Sequence, residues 1–188
     1  MALYEGLYDP LFTFDAPGFV PIEQSNWYRL EPVDRPAFSL EVIHRPDEIH
    51  ASCVELAPTS NSPGQYWHLV PSPRHGCCCL LNMALGPSRA LDVKFRDGGL
   101  VPCIAERGDY ASGQWWVFEP RPGVEAGPGL WSLRNDGYVR APELYFNVDE
   151  NGRNLGIGIG VSDSQQWRVL KIREIQTGDI YTHTVWPW

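Results

Sequence analysis

Histidine and cysteine come first, because they can ligate a metal or run a nucleophilic reaction. The chain has five of each: His44, His50, His68, His75 and His183, with Cys53, Cys77, Cys78, Cys79 and Cys103. His75, Cys77 and Cys79 alternate and would share one strand face, but this is not the Cys-x2-Cys spacing of a structural zinc site, and no second pair accompanies it. We expect no metal and no other cofactor. A nucleophile needs a histidine and an orienting group beside it. Cys77 to Cys79 with His68 or His75 is the one candidate set, and no local pattern brings them together. Asp92 with Glu106 or Asp109 is an acid–base pairing that spacing alone does not anchor. Gly156-Ile157-Gly158-Ile159-Gly160 alternates like a strand and opens no helix, so it is no phosphate-cradling loop. Cys53 and Cys103 stand 12 and 11 residues before Gln65 and Gln114. Those matching places read as small core side chains. No catalytic residue is assigned.

Composition narrows the partners. At 188 residues, with 43% hydrophobic and 20% charged side chains, the chain is long enough to bury a real core. A net charge of −8 with only 15 scattered Lys and Arg argues against nucleic acid, whose phosphates demand clustered cations. No apolar run reaches the roughly 20 residues of a membrane helix. No basic segment followed by an apolar core opens the chain, and the odd cysteine count fits reduced thiols, so the expectation is a cytoplasmic protein.

What would position any site is a repeat. Gln65-Tyr66-Trp67, Gln114-Trp115-Trp116 and Gln165-Gln166-Trp167 recur at intervals of about 50 residues. Upstream of each lies an apolar–polar–apolar triplet: Leu40-Glu41-Val42, Leu91-Asp92-Val93 and Phe146-Asn147-Val148. That is the period-two pattern of a half-buried strand. Turn signals follow at Arg45-Pro46-Asp47, Asp97-Gly98-Gly99 and Asn151-Gly152, then further strands at Cys53–Leu56, Val101–Ile104 and Leu155–Ile157. Four short strands per unit and three units give twelve. Asp136-Gly137 reads as a turn pair with positive φ in the third unit.

Three units of this size, each closing on Gln-x-Trp, resemble the β-trefoil of ricin-B-chain-type lectins over residues 26 to 172. The resemblance implies an all-β fold with lobes at 26–71, 75–120 and 130–172, an aromatic N-terminal arm at 1–25 and a tail at 173–188. It implies that Trp67, Trp116 and Trp167 share one core, and that the partner is a carbohydrate or other small neutral ligand. In sugar-binding lobes of this family a polar residue on the second strand, usually Asp, bonds two hydroxyls. An aromatic about ten residues before the Gln stacks on the ring, and an Asn or similar group near the Gln completes the rim. Carried onto this chain, the polar position is Glu41, Asp92 or Asn147. The stacking position is Glu55, Ile104 or Leu155, and the residue before the Gln is Gly64, Gly113 or Ser164. All three lobes lack the aromatic platform and two lack the Asp; the second is the best preserved, with Asp92 and Gln114, and with Tyr110, Phe95 or Trp115 as substitute platforms. The expected site residues are Asp92, Gln114, Tyr110 and Asn147.

Two other readings stay open. Similar trefoils include protease inhibitors, which act through one extended loop; here that would be 119–129 or Pro58 to Gly64, with a protein as partner. An enzymatic or small-molecule pocket could also form between the trefoil, the N-terminal arm and the tail, roofed by Phe12, Phe14, Phe19, Trp186 and Trp188.

Overall fold

A computed structural model describes residues 23–43, 53–72, 76–96, 98–108, 111–120, 130–137, 144–148, 155–159, 166–176 and 179. The arm before Glu23, most of the 119–129 connector and the end of the tail lie outside the described residues. In chain order the strands are β1 (Asn26–Pro32), β2 (Phe38–Ile43), β3 (Cys53–Pro58) and β4 (Trp67–Pro71). The second lobe has β5 (Cys78–Asn82), β6 (Arg89–Arg96), β7 (Gly99–Glu106) and β8 (Trp116–Pro120). The third has β9 (Leu130–Asn135), β10 (Leu144–Val148), β11 (Leu155–Ile159) and β12 (Gln166–Glu174).

The first and last strands of the lobes close a ring. β1 pairs with β4 and β12, β5 with β4 and β8, and β9 with β8 and β12, all antiparallel. Closure removes the open edges that would otherwise seek partners. The middle strands of each lobe form a hairpin, β2–β3, β6–β7 and β10–β11. The three hairpins contact one another. This is an all-β trefoil, as the repeat implied. No helix among the described residues is long and apolar enough to cross a membrane.

Each lobe builds the core the same way. Leu40, Leu91 and Phe146 are fully buried, as are Trp67, Trp116 and Trp167. The indole Nε1–H of each Trp donates to the carbonyl of the triplet's first residue, Leu40 (3.0 Å), Leu91 (3.0 Å) and Phe146 (3.2 Å). A buried indole thereby loses neither its apolar burial nor its hydrogen bond. Val42, Val93 and Val148 bury beside them, and the polar middle residue of each triplet faces the other way.

The cysteine run serves packing. Cys78 points into the main core with Leu80, while Cys79 turns to the other face against Leu81 and Ala90. Burial pushes the Cys78 thiol well above its ordinary range, the opposite of what a nucleophile needs.

Asp179 ties the chain after β12 back onto β1. Its carboxylate accepts from Arg173 Nη1 and Nη2, from Trp27 Nε1 (3.0 Å) and from the Gln176 amide (2.8 Å). The Arg173 hydrogen bonds hold its carboxyl well below the ordinary 3.8. A group depressed in the folded state stabilises above its unfolded value, and that contribution fades as pH falls through and below it. Asp179→Asn should therefore lower the urea midpoint at pH 7, and the gap from wild type should narrow below about pH 4. The effect is modest, because Arg173 is about one-third exposed.

Candidate functional site

In the second lobe a 3-10 turn, Ser112–Gln114, sits immediately before β8 and lies against β6. Gln114 is fully buried. Its Oε1 accepts from the Gly108 amide (3.2 Å), and its Nε2 donates to the Glu106 carbonyl (2.8 Å) and to Asp92 Oδ2 (3.0 Å). The amide thus joins the end of β7 to the middle of β6 and holds one carboxylate oxygen. Asp92 Oδ1 accepts from the Val93 amide (2.6 Å) and packs against Gly113, where any Cβ would overlap it. The carboxylate is half-buried, and desolvation raises its pKa above 3.8 despite the Gln114 bond.

The first lobe repeats this with one difference. Gln65 Nε2 donates to Glu41 Oε2 (2.9 Å) and to the Pro58 carbonyl (2.9 Å), while Oε1 accepts from Ser60 N (2.8 Å). The other oxygen, Glu41 Oε1, accepts from Ser62 Oγ (2.6 Å), and Ser62 also caps the 3-10 turn Pro63–Gln65. Ala111 stands where Ser62 does and offers no side-chain bond. The first carboxylate is closed by its own turn; the second keeps an oxygen that no side chain caps among the described residues.

Register decides which residues face the polar position. Glu55 lies opposite Glu41, Cys103 opposite Asp92 and Gly156 opposite Asn147. Two sequence expectations change here. Counting ten residues back from the Gln pointed to Ile104, but Ile104 pairs with Leu91 and turns into the core. The second lobe has one more residue than the first between this position and its Gln, so Cys103 matches Glu55. Cys53, opposite Ile43, is two positions along and does not match Cys103. Leu155 likewise pairs with Val148, leaving Gly156 as the third lobe's counterpart. None of the three facing residues is aromatic.

Phe95 is also not a platform for Asp92. The two are three residues apart on a regular strand and so point to opposite faces. Phe95 instead stands 71% exposed near the hairpin end. Trp115 follows Gln114 and is partly buried. Tyr110 lies outside the described residues, as do Gln165 and the Asn151-Gly152 turn signal. Asn147 is described, with its Oδ1 close over Gly156, where a Cβ would sit 2.9 Å away. The structure thus brings together Asp92 and Gln114; Asn147 belongs to a separate lobe.

Other features complete the surroundings. Cys103 is buried beside Asp92, and desolvation and that carboxylate push its thiol up to about 11. Gly137 is not among the positive-φ glycines; its Cα packs on the Ser112 carbonyl so closely that a side chain would overlap. Close approach, rather than turn chemistry, is why glycine stands there. Sequence reasoning also missed Asn82 and Asn135, whose side-chain amides donate to the carbonyls of Gly64 (2.8 Å) and Gly113 (2.7 Å). A shallow depression where the first and second lobes meet is lined by Trp27, His68, Met83 and Asp179. His68 Nε2–H donates to the Gln24 carbonyl (2.7 Å), and Asp179 is held by Arg173.

No protein-family model matches the sequence, and no curated protein is similar to it in sequence. Solved structures share its fold. A designed three-fold symmetric protein, ThreeFoil, superposes with a TM-score of 0.61 at 20% identity, over 78% of this chain and 99% of its own. The β-trefoil BEL gives 0.59 at 14% identity, over 83% and 98%. A Polyporus squamosus lectin, bound to the epitope Neu5Acα2-6Galβ1-4GlcNAc, gives 0.62 at 12%, over 80% of this chain and 50% of that lectin. A six-strand ring, three hairpins and one indole per lobe bonded to the triplet's first carbonyl, together with these likenesses, identify the chain as a β-trefoil of the architecture found in trefoil lectins.

Proposed function

We propose that this trefoil is a carbohydrate-binding module, diverged from the ricin-B pattern, whose site lies in the second lobe. The observation that carries the reading is the Asp92 carboxylate: fixed by Gln114 through Oδ2, half-buried, and at Oδ1 accepting the Val93 amide with no side-chain cap among the described residues. A sugar presents paired hydroxyls to such an acceptor, and a charged acceptor makes the stronger hydrogen bonds. The apolar C–H face would rest on Val101 of β7, which lies on the same strand face as Asp92. With no aromatic on that face among the described residues, affinity for a single sugar is expected to be weak. Fold similarity to a lectin that holds a sialylated trisaccharide adds support at the level of ligand class.

A glycan array followed by calorimetry tests this. Asp92→Ala should weaken the best array ligand by roughly tenfold or more, because hydroxyl donors lose a charged partner. Asp92→Asn should weaken it almost as much. Since the raised carboxyl must be ionised to accept two hydroxyls, binding should decline as pH falls toward the Asp92 pKa, beginning above the ordinary 3.8. Binding by Asp92→Ala equal to wild type would remove the proposal.

A further inference from the structure

Each Gln-x-Trp turn is held from the lobe that follows it around the ring. The backbone part of that hold occurs three times. The amides of Met83, Asp136 and Val33 donate to the carbonyls of Tyr66 (2.9 Å), Trp115 (2.8 Å) and Gln166 (2.9 Å). Among the described residues the side-chain part occurs twice, through Asn82 to Gly64 and Asn135 to Gly113. Strand register sets Asn82 opposite Trp67, Asn135 opposite Trp116 and Pro32 opposite Trp167. Proline has no side-chain amide to donate.

Asn135 is itself rigidly placed. Its Oδ1 accepts from the Gly137 amide (3.1 Å), and Gly137 lies directly on the Ser112 carbonyl. Beside it, Arg134 bonds Glu119 Oε1 (2.6 Å) on β8 and Asp136 Oδ1 (2.5 Å), closing the end of β9 on its neighbour. Gly113, whose carbonyl Asn135 holds, immediately precedes Gln114, and Gln114 holds Asp92. The chain of contacts runs unbroken from the third lobe's first strand to the second lobe's carboxylate.

We infer that Asn135 is the positioning residue of the second-lobe site, and that among the described residues this is the one working site of its kind. The inference rests on the proposed function for its ligand. The first lobe has the asparagine, but its carboxylate is closed by Ser62; the third has Asn147 in place of a carboxylate and Pro32 in place of the asparagine. Among the described residues, the second lobe combines a clamped turn with a carboxylate oxygen, Asp92 Oδ1, that accepts a backbone amide but no side-chain donor. Losing the Asn135 amide strands a buried carbonyl, which drives the turn to shift toward another donor.

The test compares Asn135→Ala with Asn82→Ala, the same loss in the other lobe. Hydrogen exchange of Gln114 and Trp115, whose amides close the second turn, should accelerate about tenfold or more in Asn135→Ala, with Gln65 and Tyr66 unchanged. Asn82→Ala should do the reverse. For the best array glycan, Asn135→Ala should bind about tenfold more weakly, Asn82→Ala within about twofold of wild type, with one ligand per chain. Equal weakening by both, exchange that rises everywhere, or two ligands per chain overturns the inference. Should Asn135→Ala not fold, Asn135→Asp serves: it keeps the acceptor for Gly137 and lacks the donor for Gly113. An array without any ligand removes the proposed function, whereas the exchange result still decides whether Asn135 places the Asp92–Gln114 pair.

Discussion

Gly113→Ala should cost about 1–3 kcal/mol of stability, read as a lowered denaturation midpoint at unchanged slope. The cause is space, not backbone torsion, because Gly113 has no positive φ. A Cβ there would overlap Asp92 Oδ1 and stand 2.7 Å from the Val93 carbonyl. The carbonyl belongs to a paired strand and cannot give, and the carboxylate is pinned by Gln114 and the Val93 amide. Adding Asp92→Ala removes the first overlap and leaves the second, so the double variant should recover part of the loss. A coupling of about 0.5–3 kcal/mol is the expected size for groups in direct contact. Strict additivity of the two substitutions would show that Asp92 does not lie against Gly113. Gly64→Ala makes a useful parallel: its Cβ would meet the Val42 carbonyl at 2.7 Å, but Glu41 only at 3.1 Å through a longer, more adaptable side chain. It should be the milder of the pair.

The same glycine shows where sequence reading reaches and where it stops. The repeat was legible because the core demands the same chemistry three times: an indole, its buried carbonyl partner two strands away, and an alternating triplet. Gln114 beside Asp92 was legible by resemblance, since both lie at fixed offsets within one lobe. Asn82 and Asn135 were not, because they act across a lobe boundary. One stands 15 residues after its Trp and the other 19, a difference set by the connector between lobes rather than by the site. The facing residue Cys103 was missed by a single position, and in a strand one position moves a side chain to the opposite face. That error alone exchanges a core isoleucine for a site cysteine. Phe95 failed by the same parity. Gly137 was read from local turn preference, whereas its reason is a neighbour 25 residues away in sequence, the Ser112 carbonyl. Local pattern gave the elements; cross-strand register assigned their faces.

Trp116→Ala is expected to have the largest effect of any single truncation in the barrel, about 3–5 kcal/mol. The side chain is fully buried, so its removal leaves a cavity that the ring of strands cannot close around. It also leaves the buried Leu91 carbonyl without its 3.0 Å donor. Two further contacts set Trp116 above an ordinary core residue. Its ring meets Phe146 edge-on at 5.7 Å, and Phe146 stacks on Trp167 at 5.0 Å, so one aromatic run joins the second and third lobes. Domains are typically stable by about 5–15 kcal/mol, so this loss takes a large share of the whole. Trp116→Phe separates the terms. It keeps most of the volume and loses the indole donor, so it should fall well short of the alanine loss while still costing about 1–3 kcal/mol for the orphaned carbonyl. Because all three lobes share the interior, Trp67→Ala and Trp167→Ala should unfold the molecule in a single transition, just as Trp116→Ala does. A biphasic melt, with the second lobe lost first, would mean that the lobes hold separate cores.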